Sequence, residues 1–134
     1  MARRLRVEAD GGSRGNPGVA GYGALVRDVD SGALLVELAE PLGKASNNVA
    51  EYRGMIAGLG AARDIAADAE IEVAMDSKLV VEQMSGRWKI KHADMRTLAA
   101  EAAAIAPAGT TYTWVPRAEN SHADRLANEA LDGV

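Results

Sequence analysis

Apolar and polar positions along the chain follow two periods, and the change from one to the other organises it. Leu5, Val7 and Ala9 alternate with Arg4, Arg6 and Glu8, a period of two that predicts a strand with one face on a core. That strand runs into Asp10-Gly11-Gly12, which reads as its closing turn. Val19 to Val29 and Ala33 to Leu42, parted by Asp30-Ser31-Gly32, predict a hairpin. From Asn48 the spacing becomes three and four. Tyr52, Met55, Ile56, Leu59 and Ile65 make the stripe of an amphipathic helix reaching about Ala66. Ile71, Val73 and Met75 alternate with Glu72 and Ala74 up to Asp76, a fourth strand. Leu79, Val80, Gln83 and Met84 predict a short helix before Gly86, and Met95, Leu98, Ala102 and Ile105 another before Pro107. Tyr112 and Trp114 lie in a fifth strand that Pro116 stops, and Leu126, Ala127, Ala130 and Leu131 mark a last helix. The order βββαβααβα predicts an α/β (α+β) fold. Its five-stranded mixed sheet has three antiparallel strands and then parallel neighbours, with helices on both faces.

No repeat, low-complexity tract or linker divides residues 1–134, so a single domain is expected. A chain of 134 residues buries roughly two thirds of its unfolded surface and needs no staple. With no cysteine, disulfides and thiolate zinc sites are excluded. Apolar runs fall far short of the ~18 residues of a membrane span, and Met1-Ala2-Arg3-Arg4 leads into a strand rather than a signal core. A cytoplasmic protein with no membrane partner is expected. The net charge of −4 speaks against binding nucleic acid through an overall field and leaves a local basic surface open.

The chemistry lies in where the acids fall. If strands one and four are parallel neighbours, Asp10 and Asp76 emerge at one edge of the sheet, where ligand sites form. Glu51 is expected in the first turn of the long helix and Asp124 in the first turn of the last, both able to face the sheet. Each has a local alternative. Asp10 before two glycines suits a turn, Asp76 a helix N-cap, and Asn48-x-x-Glu51 and Ser121-x-x-Asp124 suit capping boxes. Four converging carboxylates would repel strongly: two charges about 4 Å apart at a dielectric of 20 cost about 4 kcal/mol. A cation is therefore required. With His92 and His122 in no zinc spacing, oxygen ligands indicate Mg²⁺ or Mn²⁺, and such clusters clamp a phosphodiester between two ions.

Other chemistries find no support. Gly12-x-x-Gly15-x-x-Gly18 leads into a strand and lacks the P-loop lysine and the dinucleotide spacing. No nucleophile elbow is present.

Four segments, Asp10-Gly11-Gly12-Ser13-Arg14-Gly15-Asn16-Pro17-Gly18, Asn47-Asn48-Val49-Ala50-Glu51-Tyr52, Met75-Asp76-Ser77 and Asn120-Ser121-His122-Ala123-Asp124-Arg125-Leu126-Ala127-Asn128, resemble in order the signature segments of type 1 ribonuclease H. The resemblance covers nearly the whole chain. It implies a ribonuclease H-like fold in which Asp10, Glu51, Asp76 and Asp124 are catalytic and hold two Mg²⁺ ions, with Asp10 bridging them and Mn²⁺ as a substitute. It implies hydrolysis of the RNA strand of an RNA–DNA hybrid, leaving 5′-phosphate and 3′-hydroxyl ends. Asn16, Asn47 and Asn48 would meet the minor groove and its 2′-hydroxyls, and Lys44 and Ser46 a DNA phosphate. Lys78 departs from the Gln of many relatives and puts one groove contact in doubt. Arg117 stands near a mobile His of many relatives; it cannot be a base but can hold phosphate.

In Arg87-Trp88-Lys89-Ile90-Lys91-His92, cations surround an aromatic. Trp88 would pack on a deoxyribose while Lys89 and Lys91 meet phosphates; a core Trp in a solvated connection is the alternative. The segment is shorter than in relatives with an extra basic helix, which implies modest affinity. His122 is expected to be inert on a solvent face. A non-catalytic hybrid-binding module, and double-stranded RNA as a second substrate, stay open, as does whether the chain is a monomer or a domain of a longer chain.

Overall fold

The computed structural model describes residues 2–133. Strands β1 (Arg4–Arg14), β2 (Gly18–Asp28) and β3 (Leu34–Ala45) are followed by α1 (Asn47–Ile65), β4 (Glu70–Met75), α2 (Lys78–Met84), α3 (Ala93–Ile105), β5 (Thr111–Trp114), a 3₁₀ turn over Arg117–Asn120, and α4 (Ser121–Asp132). The sheet order is β3-β2-β1-β4-β5. β1 and β2, and β2 and β3, pair antiparallel, while β1–β4 and β4–β5 pair parallel. The expected element order and mixed sheet are both present.

Alternation along the strands decides which helix covers which face. Leu5, Val7 and Ala9 on β1, Ala24 and Val26 on β2, and Ile71, Val73 and Met75 on β4 join one core with Tyr52, Met55 and Leu59 of α1 and Met95 and Leu98 of α3. Burying one such Leu or Val fully contributes about 1.5–3 kcal/mol. Leu25, on the other face of β2, packs with Ala123 and Leu126 of α4. Helices therefore cover both faces, as expected. No helix among the described residues is long and apolar enough to cross a membrane.

The first strand departs from its predicted end. β1 does not turn at Asp10-Gly11-Gly12 but stays paired with β2 through Gly11↔Tyr22, Gly12↔Gly21, Ser13↔Ala20 and Arg14↔Val19. Gly11 serves a close approach instead of a turn: a Cβ there would stand 2.3 Å from the backbone carbon of Ala50. The chain reverses at Gly15, whose φ of 86° favours glycine. α1 comes down on β1 by the same device, since a Cβ at Gly54 would meet the Asp10 carbonyl at 2.8 Å and one at Gly58 the Val7 side chain at 2.4 Å.

Candidate functional site

The four acids meet because of register. The parallel pairing runs from Arg4↔Glu70 to Glu8↔Ala74, and carrying the same offset forward sets Asp10 level with Asp76, just past the last bridged pair. Ala9 points into the core under α1, so Asp10 faces the other way, toward α4. Gly23, opposite Asp10, lets α4 in, since a Cβ there would lie 2.5 Å from the Ala123 carbonyl and the Ala127 nitrogen. Asp124, in the first turn of α4, is thus lowered onto Asp10. Across the sheet edge, Gly11 lets α1 bring Glu51. Asp10, Glu51, Asp76 and Asp124 line one cleft of about 430 Å³, together with Asn47, Arg117 and Asn128.

The charges there oppose one another. Burial, then the Asp76 charge, then contact with Asp124 push the Asp10 carboxyl up to about 8. Burial also lifts Glu51, to about 7, with the Asp76 charge adding to it and the Ser77 hydroxyl favouring the ionised form. The Glu51 Oε2 is buried and has no hydrogen-bond partner. A partnerless buried oxygen beside three other carboxylates is a donor set suited to a hard cation. Among the described residues, no three acids or histidines already enclose one point as a finished cage. The acids line an open wall, which suits Mg²⁺, an ion that keeps waters and completes its shell with substrate phosphate.

The local alternatives for these acids do not hold. Ser77, not Asp76, caps α2, its hydroxyl accepting the Val80 N–H at 3.3 Å. Ser46, not Asn48, caps α1, accepting the Val49 N–H at 3.2 Å. The helix begins at Asn47, so Glu51 lies in its second turn rather than the first. Asn120 occupies the cap position of α4 but makes no capping bond, and Ser121 lies inside the helix.

Asn120 itself is the functional residue that sequence reasoning missed. It is 1% exposed, and its amide nitrogen donates to the Ala9 carbonyl and to Asp76 Oδ1, both at 2.9 Å. One amide thus ties the backbone beside Asp10 to the carboxylate of Asp76. The signal was its place in the last signature segment; what hid the role was that its partners lie far away in sequence.

The expected substrate contacts fall into separate groups. Asn47 lines the acidic cleft. Its Oδ1 accepts the Ser13 N–H at 2.8 Å, while its own N–H donates to Asn16 Oδ1 at 3.1 Å. Both carbonyls are turned to backbone, and the NH₂ groups are what the two side chains present outward. Asn48 joins Trp88, Lys89 and Lys91 in a second hollow of about 550 Å³. Trp88 is 44% exposed, so it is not a core residue. Lys44 lies on β3, opposite Val19, and lines neither hollow. Lys78 stands with its ammonium 5.9 Å from the ring centre of Trp114, whose indole N–H donates to the Asp76 carbonyl at 3.2 Å. Arg117, with an 82% exposed side chain, reaches within 3.9 Å of Asp124 at the cleft rim. His122 faces away from the cleft, against Arg27 at 2.7 Å and Glu37. It ties α4 to β2 and β3 rather than standing free in solvent.

The model of the Reverse transcriptase-like family matches residues 8–130. The chain is 59% identical over 98% of its length to the bifunctional protein Rv2228c of Mycobacterium tuberculosis, and spans 36% of the length of that relative. RNase H1 of the halophilic archaeon Halobacterium salinarum is 42% identical in its crystal structure, with a TM-score of 0.91 over 98% of this chain and 99% of that one. LC11-RNase H1, solved in complex with an RNA/DNA hybrid, is 37% identical, with a TM-score of 0.92 over 97% and 98% of the two chains.

Proposed function

This chain belongs to the type 1 ribonuclease H family, and from that premise we propose that it is an endonuclease hydrolysing the RNA strand of RNA–DNA hybrids. The observation that carries the reading is the meeting of Asp10, Glu51, Asp76 and Asp124, from four separate elements, in one cleft. Structural acids on a surface pair with cations; these face one another, and Asp10 and Glu51 are both driven toward protonation. A group of this kind stabilises nothing in the free chain and is explained by what it binds.

Asp10, Glu51, Asp76 and Asp124 would hold two Mg²⁺ ions, or Mn²⁺ in their place. Such ions, when bound, would supply activation of a water and charge neutralisation for a hydrolysis that leaves 5′-phosphate and 3′-hydroxyl ends. Asn120 would keep Asp76 aimed, its amide donating to Asp76 Oδ1 and to the Ala9 carbonyl. Arg117 offers a permanent cation to a phosphate at the rim. The NH₂ groups of Asn16, Asn47 and Asn48 meet 2′-hydroxyls and base edges in the minor groove, and Lys78, held over Trp114, adds a cation to the same substrate. On the DNA strand, Trp88 packs on a deoxyribose while Lys44, Lys89 and Lys91 meet phosphates. Ser46 can serve there as well, since its hydroxyl accepts the Val49 N–H and keeps its proton to donate. We place this activity in the cytoplasm, in a monomer or one domain of a longer chain.

The test is cleavage of an end-labelled hybrid beside single-stranded RNA, double-stranded RNA and double-stranded DNA, in Mg²⁺ and in chelator. Cleavage of the hybrid's RNA strand in Mg²⁺ alone is expected. Cleavage of double-stranded RNA as well would widen the substrate class. Binding of hybrid without any cutting would show a non-catalytic module and overturn the reading.

A further inference from the structure

The acidic cleft does not end at the carboxylates. Its wall continues along β1 from Asp10 past Gly12 to Arg14. Residues two apart on a strand share a face, so these three look toward α4 together. At Gly12 nothing lies within 4 Å of where a Cβ would stand, in contrast to Gly11 and Gly23, whose missing side chains are demanded by α1 and α4. Among the described residues, no packing requires a bare floor at Gly12. A ligand backbone lying along the strand would.

Arg14 closes that path. Its guanidinium donates to the Leu131 carbonyl at 3.3 Å and pairs with Asp132, both in the last turn of α4. The side chains of Arg14 and Asp132 are each 52% exposed, and pairs so exposed hold weakly. A guanidinium has five N–H donors in a fixed fork, so these bonds leave others unspent. Arg14 and Arg117 are the two cations that line the cleft. Arg117 approaches α4 at Asp124 and Arg14 approaches it at Leu131 and Asp132, points roughly 11–12 Å apart along the helix axis, with the acids nearer the Arg117 end.

We propose that Gly12 and Arg14 form a phosphate subsite: the backbone of the strand being cut runs over the bare floor of Gly12, and Arg14 takes a phosphate displaced along that strand from the scissile one. The proposal rests on the nuclease reading above and adds to it a seat that fixes how the strand lies along β1. Asp132 is then a holder that keeps the guanidinium in place between substrates.

The experiment measures hybrid affinity by fluorescence anisotropy in metal-free buffer at several salt concentrations, for wild type, Arg14→Gln, Asp132→Asn and Gly12→Val, with thermal melts of each. If Arg14 meets a phosphate, Arg14→Gln weakens binding about 3- to 10-fold and lowers the slope of log K against log salt by about one. Asp132→Asn, which releases the guanidinium, leaves binding unchanged or tighter. Gly12→Val melts like wild type yet binds at least about 10-fold more weakly, because its side chain fills the path and not the core. If Arg14→Gln and Asp132→Asn weaken binding alike with the salt slope unchanged, Arg14 is only a tie to α4 and the proposal falls. Normal binding by Gly12→Val overturns it independently. Either failure leaves hybrid cleavage by wild type intact, whereas a wild type that does not cut the hybrid at all removes the nuclease reading itself.

Discussion

Replacing Asp10 by Asn should make the metal-free protein more stable while abolishing cleavage. An acid whose native pKa is raised binds more protons folded than unfolded. Its effect is therefore absent below the unfolded value and grows as pH rises toward the folded one. For Asp10 the window runs from the ordinary 3.8 to about 8. At pH 7 the wild type is some three units into that window, which at about 1.4 kcal/mol per unit is a loss on the order of 4 kcal/mol. Part of the shift on Asp10 comes from the Asp76 and Asp124 carboxylates beside it rather than from burial, and Asn120 already steadies Asp76. The gain credited to Asp10 alone is then on the order of 2 kcal/mol. Asn keeps the size of the side chain and can still accept the Gly11 N–H. Urea unfolding, paired with thermal melts, in chelator from pH 3.5 to 9 is the assay. The two proteins should coincide near pH 3.5 and diverge steadily to pH 8, by roughly 3–5 °C in melting temperature per kcal/mol. Adding Mg²⁺ should then stabilise wild type and leave the variant almost unmoved. Equal stability at pH 7, or a gain of the same size at pH 3.5, would refute the argument, because neither can come from relieved repulsion.

Glycines in α1 should divide by position: Gly60→Ala, with nothing within 4 Å of the new Cβ, should raise stability by about 1 kcal/mol, and Gly58→Ala, forced against Val7, should cost about 1–3 kcal/mol, both by chemical denaturation. Ser46→Ala should cost about 1 kcal/mol as a lost cap. Asn48→Ala should cost little in a melt and instead reduce the preference for hybrid over double-stranded DNA in competitive cleavage. Asn120→Ala, which strands the Ala9 carbonyl and Asp76 Oδ1, should cost about 1–3 kcal/mol and slow cleavage further than the unfolded fraction explains, as single-turnover rates at low temperature would reveal. Cleavage by wild type should require millimolar Mg²⁺ or Mn²⁺ and stop in excess chelator; full activity there would overturn the two-ion reading.

The sequence disclosed element order and the four acids readily, because alternation and helical spacing are local and the acids sit at element ends. Tertiary contacts hid the rest. Asp10-Gly11-Gly12 looks like a turn in sequence since glycine marks turns and close approaches alike, and only Ala50, some forty residues on, tells which applies. Asn48 and Ser121 looked like caps because their spacing fits, yet Ser46 wins the first by sitting two residues earlier, and Asn120 turns its amide inward to Asp76 rather than to its own helix. The exposure of Trp88 likewise depends on how the connection from α2 to α3 lies over α1, which composition does not encode.

The reciprocal clasp between Asn16 and Asn47 carries a consequence for what such a surface would discriminate. Each carbonyl is taken up by a backbone N–H, so the groups left to face a nucleic acid are donors. In a minor groove every base pair, A·T and G·C in either orientation, offers acceptors at purine N3 and pyrimidine O2. Readers that only donate find a partner at each step whatever the bases. The clasp would thus make recognition indifferent to the message, responding to the width of the groove and to its ribose hydroxyls, and an enzyme built on it would be free to work anywhere along a hybrid.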